Sequence, residues 1–193
     1  MVGLQFEFET QCFQKKKISQ TNGASSFWRL RLSADIFSHW WKSKGVFTIF
    51  FDGASKGNPG VAGAGGLIYS PDSEKIFSFC WGLGFCSNNQ EECYSLLMAC
   101  QIARQIGIKE IQILGDSEVL IKLLNSNLQF NKPSLDKILQ RIRNFMKDFE
   151  KVSSFHILRE LNKQADLMAN KACLLPLGSF SSNGDTCIMQ PIP

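Results

Sequence analysis

Four carboxylates in this sequence stand where a carboxylate is costly. Asp52 closes the apolar, β-branched and aromatic run "VFTIFFD", and Asp116 closes a second such run, "IQILGD". Asp166 interrupts the small and apolar "QADLMAN", and Glu92 falls in the first turns of a helix entered at Asn88-Asn89. A single carboxylate at a strand end is commonly a turn former or a helix cap, and Ser117 after Asp116 allows that reading there. Two strands that both end on Asp, with two helices each offering an acid, ask for more. A buried carboxylate is expensive unless something cationic offsets it. Four that converge at one sheet edge repel one another strongly unless divalent cations bind among them. Hard oxygen ligands select Mg²⁺ or Mn²⁺ over zinc, and two such ions ~3.5–4 Å apart suit in-line displacement at phosphorus.

The stretch after Asp52, "FDGASKGNPGVAGAGG", is glycine-rich enough to suggest a phosphate cradle. It is not one. A dinucleotide fingerprint needs G-x-G-x-x-G between a strand and a helix, whereas Gly63-Ala64-Gly65 runs on into Gly66-Leu67-Ile68 and another strand. A P-loop needs Gly-Lys-Ser/Thr opening a helix, and the sequence has none. A plain turn accounts for Gly57-Asn58-Pro59-Gly60 but leaves the acid at the end of a buried strand unexplained.

The elements that must position these acids follow from periodicity and punctuation. "VFTIFFD", "AGAGGLIYS" and "EKIFSFCWGLG" read as three strands, with Pro71-Asp72-Ser73 turning between the last two. "SNNQEECYSLLMACQIARQIG" opens on cap residues, carries apolar residues at helical spacing and closes at Gly107. "KEIQILGD" is a fourth strand, "SEVLIKLLNSN" and "SLDKILQRIRNFMKDFE" are two helices, "SSFHILRE" is a fifth strand and "NKQADLMANKACLL" a last helix. The order β-β-β-α-β-α-α-β-α predicts an α/β layer fold with a five-stranded mixed sheet flanked by helices. Three segments are expected: a basic and aromatic N-terminal extension over 1–44, the α/β domain over 45–175, and a flexible tail over 176–193. In the extension, Phe27, Trp28, Leu32, Ile36 and Trp40 recur at helix-like spacing, so packing on the main domain is favoured over base stacking.

Composition sets the class. The chain of 193 residues is 44% hydrophobic and 20% charged, an ordinary globular balance. Its net charge of +4 is concentrated at the front: residues 1–45 hold seven Lys/Arg against three acids, residues 46–175 fourteen against thirteen. Seven cysteines with no C-x-x-C pair argue against a disulfide framework and a structural zinc site, and for a reducing compartment. Neither a signal peptide pattern nor a ~20-residue apolar run is visible. An intracellular, nuclear or cytoplasmic, protein with no membrane partner is expected, and a monomer.

The motifs resemble those of the type 1 ribonuclease H family, and within it the ribonuclease H domains of plant retroelements and their host-resident relatives. "DGASKGNPGVAGAGG" is similar to the family's first-strand signature, "SNNQEE" to its helix-entry motif Thr-Asn-Asn-x-Ala-Glu, "GDS" to its third motif, and "HILRELNKQADLMAN" to its last strand and helix. The resemblance covers about residues 46–173. It implies a ribonuclease H-like fold with Asp52, Glu92, Asp116 and Asp166 as catalytic acids and metal ligands; the motif register selects Glu92 over Glu91, which replaces the usual Ala. It implies hydrolysis of the RNA strand of RNA–DNA hybrids, with one Mg²⁺ (or Mn²⁺) held by Asp52, Asp116 and Asp166 and a second by Asp52 and Glu92. Gly57, Asn58, Asn88 and Asn89 are the expected substrate contacts, because choosing RNA means sensing 2′-hydroxyls with short polar side chains and backbone. His156 lies within the fifth strand, where a structural role is expected, and Arg159, Glu160 and Asn162 match the retroelement pattern. The alternative is a catalytically weak or inactive retroelement-derived module that binds nucleic acid.

Overall fold

The structure is a computed structural model that describes residues 28–183 and 185–188. Strands β1 (Phe47–Gly57), β2 (Gly60–Tyr69) and β3 (Lys75–Cys86) form an antiparallel meander. β4 (Glu110–Gly115) pairs parallel to β1 on its other side, and β5 (Lys151–His156) pairs parallel to β4. β1 is therefore central and covered on both faces, which is why its sequence reads as a continuous apolar run instead of alternating. Ile49 and Phe51 point into the main core; Phe50 points into a second cluster with Leu67 and Leu114.

Helices cover the two faces. The helix Asn88–Gln105 packs on the main core through Leu96, Ala99 and Ala103, and the helix Pro133–Met146 adds Leu135, Ile138, Leu139 and Ile142. Among the described residues the α-helices in chain order are α1 (Ala34–Lys42), α2 (Asn88–Gln105), α3 (Glu118–Leu124), α4 (Pro133–Met146) and α5 (Lys163–Ala172). α1 and α5 lie on the opposite face, where Phe37, Trp41 and Ala165 bury against Phe50, Leu114 and Ile157. The ring of Trp41 meets Phe50 edge-on at 5.5 Å and Trp40 meets Phe155 at 5.1 Å. Packing of the extension on the domain is thus observed over its described part, but on a shifted face. Phe37 and Trp41 are the buried residues of α1, while Ile36 is 42% exposed. A strict i, i+4 series drifts around a helix of 3.6 residues per turn, and Trp28–Leu32 precedes the helix altogether. Phe27 lies outside the described residues.

Two expectations need correction. The sheet has seven strands in the order β5-β4-β1-β2-β3-β6-β7, not five. The added pair, β6 (Ser179–Ser182) and β7 (Asp185–Ile188), comes from the segment expected to be a flexible tail. β6 docks antiparallel on β3, and Phe180 enters the core stacked on Phe79 at 6.1 Å. The signal is thin because four-residue strands, Ser-Phe-Ser-Ser and Asp-Thr-Cys-Ile, are too short to show a useful periodicity; what orders them is the free edge of β3, on which β6 pairs and then β7 on β6.

Candidate active site

β1 is the floor of the site. Asp52 is only 3% exposed, and its backbone N–H donates to Ser95 Oγ at 3.2 Å. Ser95 Oγ in turn donates to the Gly65 carbonyl at 2.7 Å, so one buried hydroxyl of α2 ties β1 and β2 beneath the acid. α2 sits unusually low on β1. A Cβ at Gly53 would lie 2.6 Å from the backbone nitrogen of Glu92, inside the helix itself. Only glycine permits that approach, and it is what brings Glu92 to Asp52. The helix start is fixed by Ser87, whose N–H and Oγ–H both donate to Gln90 Oε1 at 3.1 and 2.8 Å, a capping box.

Asp116 arrives from the end of β4. Asn162, 1% exposed, donates from Nδ2 to Asp116 Oδ1 at 2.7 Å and to the Phe51 carbonyl at 2.9 Å, clamping the acid against the neighbouring strand. His156 Nε2 lies 3.2 Å from the Asp116 carbonyl, a structural role as expected from its place in a strand. Asp166 lies in the first turn of α5, and Arg159 Nη2 donates to Asp166 Oδ1 at 3.3 Å.

The ligand oxygens of Asp52, Glu92 and Asp116 all lie within 4.8 Å of one another. Asp166 stands outside that tight group, engaged by Arg159, yet close enough for its charge to act on Asp52. Electrostatics records the crowding. Burial, then the charges of Asp116 and Asp166, push the Asp52 carboxyl up to about 8, against an opposing pull from Arg159. Burial and the Asp52 and Asp116 charges likewise raise Glu92 well above the carboxylate range. Glu92 Oε2 is sealed from solvent and has no hydrogen-bond partner. An orphaned carboxylate oxygen, facing two more carboxylates in an all-oxygen donor set, fits a hard divalent cation.

Three of the four expected substrate contacts, Gly57, Asn58 and Asn88, lie together where the β1–β2 turn meets the start of α2. Gly57, at φ +107°, and Asn58 form the β1–β2 turn, and Asn58 Oδ1 accepts from the Asn88 N–H at 3.2 Å. Ser55 Oγ bridges the Gly57 carbonyl (2.7 Å) and Asn88 Oδ1 (3.0 Å), making turn and helix entry one exposed unit. Asn89 is exposed on the next position of α2 and no hydrogen bond links its side chain to that unit. Sequence reasoning missed Ser95, whose partners are 43 and 30 residues away. It also assigned no role to Glu91, which is buried at 4% exposure, has an unpartnered Oε2, and is pushed up to about 7 by burial despite a hydrogen bond from Ser55.

Strand order and the placement of the acids define a ribonuclease H-like α/β protein. A family model described as "Reverse transcriptase-like" matches residues 50–172. Ribonuclease HI of Halobacterium salinarum is 35% identical over 123 residues, covering 64% of this chain and 62% of that protein. The solved structure of RNase H1 from the same archaeon superposes with a TM-score of 0.63 at 34% identity, over 65% of this chain and 96% of that one. A putative ribonuclease H protein of Arabidopsis thaliana is 32% identical over 130 residues, 67% of this chain but 21% of that one. LC11-RNase H1, solved in complex with an RNA/DNA hybrid, gives a TM-score of 0.62 at 26% identity, over 66% of this chain and 96% of that one. The chain belongs to the type 1 ribonuclease H family. It spans less than two-thirds of the length of the curated relatives named here.

Proposed function

We propose that the protein is a divalent-metal-dependent endonuclease that hydrolyses the RNA strand of RNA–DNA hybrids, with Mg²⁺ as its ion. The observation that carries this reading is the convergence of the Asp52, Glu92 and Asp116 oxygens within 4.8 Å of one another, with Asp52 buried and the other two half-buried. Asp52, Asp116 and Asp166 would hold one ion, and Asp52 with Glu92 a second. Bound there, such ions supply Lewis acidity toward a phosphodiester and charge compensation for its leaving oxygen.

The chain's own groups do the rest. Asn162 commits one oxygen of Asp116 to a 2.7 Å hydrogen bond and so aims the carboxylate. Ser95 holds the Asp52 backbone, and Gly53 admits the α2 turn that delivers Glu92. Arg159, 80% exposed, balances Asp166 at the mouth. The Gly57–Asn58 turn, Asn88 and Asn89 offer short polar groups of the kind that sense the 2′-hydroxyls which distinguish RNA from DNA across a minor groove. The retroelement-type motif around Arg159 and Asn162 supports descent from a retroelement enzyme. Cleavage of a labelled hybrid with Mg²⁺, compared with duplex RNA and duplex DNA of the same sequence, tests the reading. Hybrid-restricted cutting is expected; binding without cutting would leave a nucleic-acid-binding module instead.

A further inference from the structure

The segment that precedes α1 pairs with the last residue of β5 at its outer edge. Leu30 N–H donates to the His156 carbonyl at 2.9 Å and His156 N–H to the Trp28 carbonyl at 2.7 Å, setting Arg29 opposite His156 in parallel register. The same His156 lies by its ring 3.2 Å from the Asp116 carbonyl. One residue thereby ties the N-terminal segment to the strand end that carries a candidate metal ligand. From this position Arg29 forms an ion pair with Glu118, the first residue of α3 and the second after Asp116. The Arg29 guanidinium also lies 4.8 Å from the centroid of the Trp28 ring, so the side chain is held from two sides.

An exposed ion pair stabilises a fold very little; the place of this one matters more than its strength. Glu118 adds a carboxylate to a rim that has Asp52, Glu92, Asp116 and Asp166 behind it. Divalent cations, if held by the inner acids, would compensate them, but Glu118 would face a polyanion uncompensated. We propose that the Trp28–Leu30 edge segment is a built part of the hybrid-binding rim, with Arg29 a positioning residue that neutralises Glu118 so that the nucleic acid backbone can approach the flank of Asp116. This rests on the hybrid reading above. It gives the N-terminal basic excess a specific task at one carboxylate instead of diffuse attraction.

The test is steady-state cleavage of a labelled hybrid by the full chain with Mg²⁺ at low salt. Arg29→Ala and Arg29→Met (which keeps the stem that packs on Trp28) are each expected to raise KM about tenfold while kcat stays within about twofold, because a like charge at a binding rim weakens approach more than chemistry. Glu118→Gln in either background is expected to return KM to within about threefold of wild type, and raising the salt to compress the difference. Arg29→Lys should behave as wild type. An unchanged KM in an Arg29 variant that melts like wild type would overturn the proposal, as would a rise in KM that Glu118→Gln does not reverse, since the arm would then be only structural. A wild-type protein that does not cleave the hybrid would overturn the nuclease reading and this one with it; a wild type that cleaves with indifferent Arg29 variants overturns this one alone.

Discussion

Glu91 and Glu92 are neighbours with opposite prospects. Both have a carboxylate oxygen sealed from solvent without a partner, but only Glu92 shares its space with Asp52 and Asp116. Glu91 points to Ser55 and has no ion to justify it; burial raises it to about 7, above its ordinary 4.5. The fold therefore favours its neutral form, and the stability this contributes is fully present below about pH 4.5 and lost as pH rises through 7. Glu91→Gln is predicted to stabilise the protein by about 1–2 kcal/mol at pH 8 and to keep cleavage within about threefold. Glu92→Gln is predicted to lose at least ~100-fold in cleavage. Thermal melts and initial rates on the two variants decide, and an active Glu92→Gln beside an inactive Glu91→Gln would reverse the assignment. Asp52 follows the same sign. Its carboxyl stands at about 8 against an ordinary 3.8, so metal-free protein should lose stability as pH rises from about 4 to 8, by at most ~1.4 kcal/mol per pH unit for this group. Melting curves in EDTA should show that decline, Asp52→Asn should flatten it, and Mg²⁺ at pH 8 should remove it. Asp52, Asp116 and Asp166 stand out in the sequence because each closes or breaks an apolar run, whereas Glu92 is separated from Glu91 only by the motif register. The clamp by Asn162 was not legible, because its partners Phe51 and Asp116 are 111 and 46 residues distant.

Among elements, the fit of α2 on β1 governs the site. The strand carries one acid, the helix another, and the glycine between them sets their separation. Gly53→Ala drives a Cβ to 2.6 Å from the Glu92 backbone nitrogen, and a helix backbone cannot yield as a side chain can. A destabilisation of about 2–4 kcal/mol is predicted from overpacking, together with a loss of cleavage, since α2 must lift Glu92 away from Asp52. Urea melts and rates on the same preparation measure both; a neutral substitution would mean the helix has freedom that the packing denies. The five long strands and the helices that flank them were readable, because β1 and β4 are continuous apolar runs and α2 is well capped. β6 and β7 were not, because their order comes from a neighbour's free edge. The face of α1 was misread by one residue: Phe37 and Trp41 bury where Ile36 and Trp40 fit a four-residue repeat.

At the scale of the whole molecule, charge and cover are unevenly arranged. The body over 46–175 is nearly neutral, and the excess of the +4 chain sits in the first 45 residues. The described part of that segment is not an appendage. It pairs with the last residue of β5, covers Phe50 and Leu114 with α1, and brings Arg29 to Glu118 at the start of α3. The eight residues between α3 and α4 leave little room for a basic protrusion of the body's own; on the proposed reading, hybrid affinity would come from the turn, the α2 entry, the metal ions and this segment. Among the described residues no helix is long and apolar enough to cross a membrane. These features support one central claim, that four carboxylates in an RNA-sensing cleft make a metal-dependent nuclease. The most direct measurement is strand-resolved cleavage of an RNA–DNA hybrid labelled on each strand in turn, with Mg²⁺ and with EDTA, by the wild type and by Asp116→Asn. The account predicts Mg²⁺-dependent cutting of the RNA strand alone, leaving 5′-phosphate ends, and its loss in a variant that melts like the wild type. An intact hybrid after incubation with folded wild-type protein and Mg²⁺, or cutting that persists in Asp116→Asn, would contradict it.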